Sequence, residues 1–177
     1  MTINYRINAG KIPGDTWIQD MEIGGGRIIG EVCHFIDYLT WLSGSLPVSV
    51  FAAALPDAEK NNDTLNIQLS FANGSLGVVS YYANGPKSLP KEYIEVFQSG
   101  TAGILSNFKE LQIFGKKKVK KTLFNQDKGQ SVMMAEFINS LLNECSSPIS
   151  FDEISYVTKA CFAVIESLKI GLPVKIG

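Results

Sequence analysis

Proton chemistry in this chain is narrowed by a single count: one histidine, His34, stands among 177 residues. Histidine has an ordinary pKa close to neutrality, so proton transfer near pH 7 by an unshifted side chain falls to His34. It lies in Gly24-Gly25-Gly26-Arg27-Ile28-Ile29-Gly30-Glu31-Val32-Cys33-His34-Phe35-Ile36-Asp37, where three glycines open a helical pattern. At about 100° per residue, Arg27, Gly30, His34, Asp37 and Trp41 form a stripe apart from Ile29, Val32, Ile36 and Leu39. The expectation is a polar helix face on which His34 stands beside a gap at Gly30, with room there for a substrate. The competing reading is an inert, hydrogen-bonded histidine at the border of a buried face.

Other chemistries are weaker. Gly24-x-Gly26 is followed by Ile29 where a dinucleotide fingerprint needs a third glycine, and Gln19-Asp20-Met21-Glu22 is a poor strand to precede it. The glycines then either loosen a loop or leave backbone N–H groups open to an anionic or hydroxylated ligand. Glu31, Cys33, His34 and Asp37 make a poor metal set, since Cys33 and His34 diverge around the helix and no second histidine or CxxC pair exists. Cys33 joins the apolar stripe, where a thiol is a weak nucleophile. Lys116-Lys117-Lys118-Val119-Lys120-Lys121 reads as a solvated edge hairpin rather than a nucleic-acid patch. Trp17, in a loop, either lines a pocket or packs over the sheet edge.

The elements that position these residues follow from periodicity. Ile3, Tyr5 and Ile7 alternate with polar neighbours as a first strand, and a loop over Gly10–Glu22 leads to the glycines. A helix runs from Arg27 to Ser43 and stops at Gly44. Thr64–Phe71 and Leu76–Tyr82 read as a hairpin with Asn73-Gly74 as a two-residue type I′ loop. That register sets Phe71 opposite Leu76 and Gln68 opposite Val79, and leaves Val79 and Tyr81 on a second, semi-apolar face. Val48–Ala53, Tyr93–Gln98, Ile104–Phe108 and Leu111–Phe114 add strands. Met133/Met134, Phe137/Ile138 and Leu141/Leu142 stripe one late helix, with the methionines expected in the core. Ile154, Val157, Cys161, Val164 and Leu168 stripe another, begun by a Ser150/Glu153 capping box and ended by Gly171. The fold class is α+β: an open, mainly antiparallel sheet with helices packed on one face.

Composition bounds the rest. With 45% hydrophobic residues, 16 Lys+Arg against 17 Asp+Glu, and no long apolar run, the chain reads as one domain spanning residues 1–177. It has no field favouring nucleic acid or membrane, so a small-molecule or protein partner is expected. Three scattered cysteines suggest a reduced, cytoplasmic setting. Met1-Thr2-Ile3-Asn4 enters a strand abruptly, as a piece of a longer chain would.

Tyr5-Arg6-Ile7-Asn8-Ala9-Gly10, Asp15-Thr16-Trp17, the glycine-to-Asp37 segment, Pro90-Lys91-Glu92-Tyr93-Ile94-Glu95-Val96-Phe97 and Pro148-Ile149-Ser150-Phe151 closely resemble the C-terminal half of the Gfo/Idh/MocA oxidoreductases, the glucose-fructose oxidoreductase and inositol dehydrogenase family. The resemblance covers essentially the whole chain. It implies a substrate-binding and oligomerisation domain whose N-terminal Rossmann domain, which binds NAD or NADP, lies outside this sequence. It further implies that His34 moves a hydroxyl proton in the dehydrogenation of a sugar, sugar nucleotide or polyol. Asn8, Trp17, Arg27 and Glu31 are the expected pocket wall, and the open sheet face is the expected route to a homo-oligomer. One common family pattern has a carboxylate four residues before the histidine; here Gly30 stands there, and Glu31 is one place later. The alternative is a non-catalytic dimerisation or scaffold module of a larger enzyme.

Overall fold

Alternation of apolar and polar residues gives β1 (Thr2–Asn8) a buried side, with Ile3, Tyr5 and Ile7 at 0%, 2% and 0% exposure. The computed structural model describes residues 1–56 and 62–177. Among these, the other strands are β2 (Pro47–Ala54), β3 (Thr64–Phe71), β4 (Leu76–Tyr82), β5 (Glu92–Gln98), β6 (Thr101–Ser106), β7 (Glu110–Phe114), β8 (Val119–Thr122) and β9 (Val174–Lys175). They form one open sheet in the order β8-β7-β6-β5-β1-β4-β3-β2-β9. β1 lies in its middle, parallel to β4 and antiparallel to β5, and every other pairing is antiparallel.

One face of the sheet is covered. A π-helical turn (Ile28–Val32) runs into α1 (Cys33–Ser43), which packs with α3 (Phe151–Ile170) over β2, β3, β4 and β1. α1 docks where β4 has no side chain: a Cβ on Gly77 would come within 2.6 Å of Leu39 Cδ2. Ser150 accepts the Glu153 N–H at the start of α3, and Gly171 (φ +67°) ends it, as the capping signals foretold. The lysine-rich β8 is an exposed edge strand, with Lys120 paired to Glu110 at 2.9 Å. No helix of the described residues is long and apolar enough to cross a membrane.

Two expectations about packing are corrected. The hairpin joining β3 and β4 closes through Ala72, Asn73 and Gly74, with Gly74 N–H donating to the Phe71 carbonyl and Phe71 N–H to that of Ser75. Only Gly74 has a positive φ, so this is a three-residue loop and not type I′. The register moves by one: Ile67 faces Val79 and Leu65 faces Tyr81. A one-residue slip exchanges the faces of a strand. Val79 and Tyr81, both 0% exposed, therefore belong to the core, and the open face carries Phe51, Leu76 and Phe97. The type I′ geometry occurs instead at Ser99 (φ +47°) and Gly100 (φ +75°), between β5 and β6, so β6 starts earlier than Ile104.

The second correction concerns α2 (Gln130–Leu142). Met133 and Met134 are 57% and 52% exposed, and the rest of the stripe is equally bare. Among the described residues no strand or other helix makes more than slight contact with it.

Candidate functional site

The glycines have a packing role. A Cβ on Gly24 would collide with the Trp17 carbonyl oxygen and Ile18 Cα, so the loop before the helix crosses directly over this residue. Gly25 and Gly26 hold φ of +69° and +76°, a region that side chains resist. The Gly24 and Gly25 N–H groups both donate to the Asp20 carbonyl, at 2.8 and 3.0 Å. Those two amides are occupied, so neither of them lies open to an anion. The gap foreseen at Gly30 is also filled: a Cβ there would meet Ile18 Cδ1 at 3.0 Å. Ile18 belongs to a short 3₁₀ turn (Trp17–Gln19), which leaves Trp17 67% exposed.

The π-helical turn redistributes the stripe read from sequence. Arg27 is only 2% exposed and does not share the open face of His34. Its guanidinium holds the Glu31 carboxylate by two contacts, Nε to Oε1 at 2.9 Å and Nη2 to Oε2 at 3.2 Å. Nη1 donates to the Gly10 carbonyl at 2.8 Å and lies 3.8 Å from Asp63, while the plane sits 5.0 Å over the Tyr81 ring. The Tyr81 hydroxyl donates to Glu31 Oε2 at 2.7 Å. Partial burial pushes the Glu31 carboxyl up, but hydrogen bonds from Arg27 and Tyr81 outweigh it and hold the group below its usual range. Tyr81 and Asp63 were not foreseen. The Arg27/Glu31 spacing of four was a signal for half the cluster, whereas Tyr81 reaches it from β4 with no local trace.

His34 is exposed at the start of α1, and its ring has no hydrogen-bond partner among the described residues. Partial burial raises the Asp37 carboxyl, one helical turn on, and the nearby His34 opposes that rise. Below them Tyr5, Phe35, Tyr38 and Phe108 stack edge to face, with ring centroids 5.2 to 5.6 Å apart. The Cys33 thiol is half-buried and pushed up by desolvation; burial lifts Cys161 to about 12. Both fit the reading of unreactive thiols.

Asn8 closes β1 from the opposite side. It is 7% exposed, and its amide donates to the Pro86 and Leu89 carbonyls at 2.8 and 3.0 Å, tying the loop before β5 to the strand. The fold thus gathers Asn8, Arg27 and Glu31 around the end of β1, through Gly10 and Tyr81, and leaves Trp17 on the surface.

An open sheet covered on one side by α1 and α3, with His34 exposed at the start of α1, is the frame in which relatives can be sought. Residues 1–106 match the family described as the GFO/IDH/MocA C-terminal domain, and the chain belongs to that family. No curated protein matches it significantly. Solved structures share the fold. Levoglucosan dehydrogenase, in complex with NADH and levoglucosan, superposes with a TM-score of 0.83 at 16% identity, covering 99% of this chain and 58% of its own. Aldose-aldose oxidoreductase from Caulobacter crescentus, complexed with glycerol, gives 0.81 at 16%, covering 99% and 55%. UDP-N-acetylglucosamine 3-dehydrogenase from Acidithiobacillus ferrooxidans gives 0.74 at 14%, covering 96% and 54%. The chain therefore spans a little over half of each of these structures.

Proposed function

We propose that this chain is the substrate domain of an NAD(P)-dependent dehydrogenase acting on a CH–OH group of a sugar, sugar nucleotide or polyol. The observation that carries the reading is the exposed, unpartnered His34 on the covering helix of a family fold whose solved relatives are oxidoreductases. On this reading the nucleotide-binding Rossmann domain lies outside this sequence, which spans a little over half of each solved relative. When bound there, the nicotinamide supplies the hydride acceptor.

The chain's own share is the proton and the pocket. His34 takes the proton from the substrate hydroxyl oxygen as the carbonyl forms, and returns it in the reverse direction. Glu31, neutralised by Arg27 and Tyr81, acts as a positioning residue that fixes the helix start; Asn8 and Trp17 belong to the pocket wall. His34→Ala in the full-length enzyme, assayed across sugar nucleotides and polyols, should lower kcat by about 10²–10⁴-fold. Unchanged turnover would sink the assignment. A titration of this chain alone with NAD(P) at micromolar concentration should give no signal.

The open face, with Phe51, Leu76 and Phe97 at 37–45% exposure, supports a homo-oligomer as the second role of the domain. Native mass spectrometry should show a dimer, and a strict monomer insensitive to dilution would count against it. Three free thiols fit a cytoplasmic setting.

A further inference from the structure

Six large apolar residues of α2, Met133, Met134, Phe137, Ile138, Leu141 and Leu142, are 48–78% exposed. At about 100° per residue they fill about 180° of the helix, where an apolar stripe of about 100° is enough to seat a helix on a core. Glu136 is the only charged residue among its 13. A helix that stays in water carries charge along its outer side, so this composition belongs to a helix that is covered. The start of α3 adds Phe151 and Ile154, 81% and 51% exposed. Bare apolar surface of this breadth marks an interface.

α2 begins on the side of the sheet that α1 covers. Lys128, next to the N-cap Gly129, meets Glu92 Oε1 at 3.1 Å and lies 5.8 Å over the Phe108 ring. Phe108 in turn stacks edge-on against Tyr38 of α1, four residues after His34. The same side is bare over the neighbouring strands. One row of cross-strand partners runs from Tyr5, beneath α1, through Ile94 and Leu105 to Leu111. Leu105 and Leu111 are only half-buried, and among the described residues no helix makes more than slight contact with β5, β6, β7 or β8. His34, the bare strands and the root of α2 thus share one side of the sheet.

We propose that the apolar arc of α2 is the seat of the nucleotide-binding half of the full-length protein, docked on the α1 side of the sheet. The inference rests on the dehydrogenase reading. As His34 takes the hydroxyl proton, the hydride leaves the carbon that bears that oxygen, so the nicotinamide that accepts it must reach the substrate from the α1 side, where α2 is rooted. Sites of this kind sit preferentially between domains. The solved relatives, of which this chain covers 54–58%, carry length enough for such a half. A second copy is the weaker occupant, because the homo-oligomer proposed above uses Phe51, Leu76 and Phe97 on the opposite face.

Hydrogen exchange over residues 130–142, followed by mass spectrometry in this chain and in the full-length protein, tests the seat. A helix of this length without a partner is marginal in water. In this chain α2 should therefore exchange fast at every concentration, and in the full-length protein at least about tenfold more slowly, whatever the dilution. Met133→Glu/Leu141→Glu should return the full-length protein to the fast rate and lower its urea midpoint. The same pair should leave the midpoint of this chain unchanged, since both side chains are exposed in it. Equal exchange in the two proteins would overturn the proposal, and so would slow exchange in this chain that appears only as concentration rises, the mark of a second copy. NAD(P) binding by a full-length protein whose α2 still exchanges fast would sink the seat and spare the dehydrogenase reading. Slow exchange in a full-length protein that binds no NAD(P) would sink that reading and, with it, the named occupant.

Discussion

Helices α1 and α2 are nearly equal in length, 11 and 13 residues, and both carry apolar stripes, yet they end in opposite surroundings. α1 buries Phe35, Ile36, Leu39, Thr40 and Ser43; α2 buries Ser140 alone. The difference is set by what lies beneath. α1 crosses a sheet whose β4 offers Gly77 as a notch for Leu39, whereas α2 follows the segment beyond β8 and makes at most slight contact with the described strands. A stripe states that a helix has an apolar side. Whether that side is covered depends on strands far away in sequence.

The comparison is open to attack at its strongest point. Leu39→Ala should destabilise the chain by about 2–5 kcal/mol through lost transfer energy and a cavity, while Leu141→Ala in α2 should stay within about 0.5 kcal/mol. Urea denaturation that gave the two equal losses would erase the distinction between the helices. Next in size is Arg27→Ala, which strands the Glu31 carboxylate under α1; a loss of about 3 kcal/mol is expected from the same measurement. Gly77→Ala, which fills the notch, should cost about 1–3 kcal/mol by overpacking against Leu39, with no counterpart on the α2 side.

The smallest effect is a dependence on pH. The folded Glu31 carboxyl lies below its usual range, so its stabilisation is complete above the unfolded value of about 4.3 and is lost as the pH falls through the lower, native one. The urea midpoint should therefore drop less between pH 6 and pH 3 in Glu31→Gln than in the parent. Parallel acid limbs would show that Glu31 contributes no pH-dependent stability.

Strand alternation and helix caps were legible because they are local: Ile3, Tyr5 and Ile7 declare a face, and Ser150 declares a helix start. His34 was legible by count. The β3–β4 register was misread because Asn73-Gly74 fits either a two- or a three-residue loop, and the choice was made by the helix-covered side of β4. Arg27 was misplaced because a regular helix was extended through residues that form a π turn, which rotates everything before it. Tyr81 lay beyond reach, since its hydroxyl meets Glu31 only after the sheet has closed.

β1 runs between β4 and β5, on rungs that join residue 2 to residues 76 and 97. Such rungs close long loops, so this strand is expected to seat late in folding, after the hairpins on either side have formed. Asn8, at its end, would then lock among the last residues of the sheet. A substrate held against the end of β1 would stabilise the native chain against the sheet's opening along this seam, and its clearest trace would be slower hydrogen exchange in β1 rather than in the hairpins.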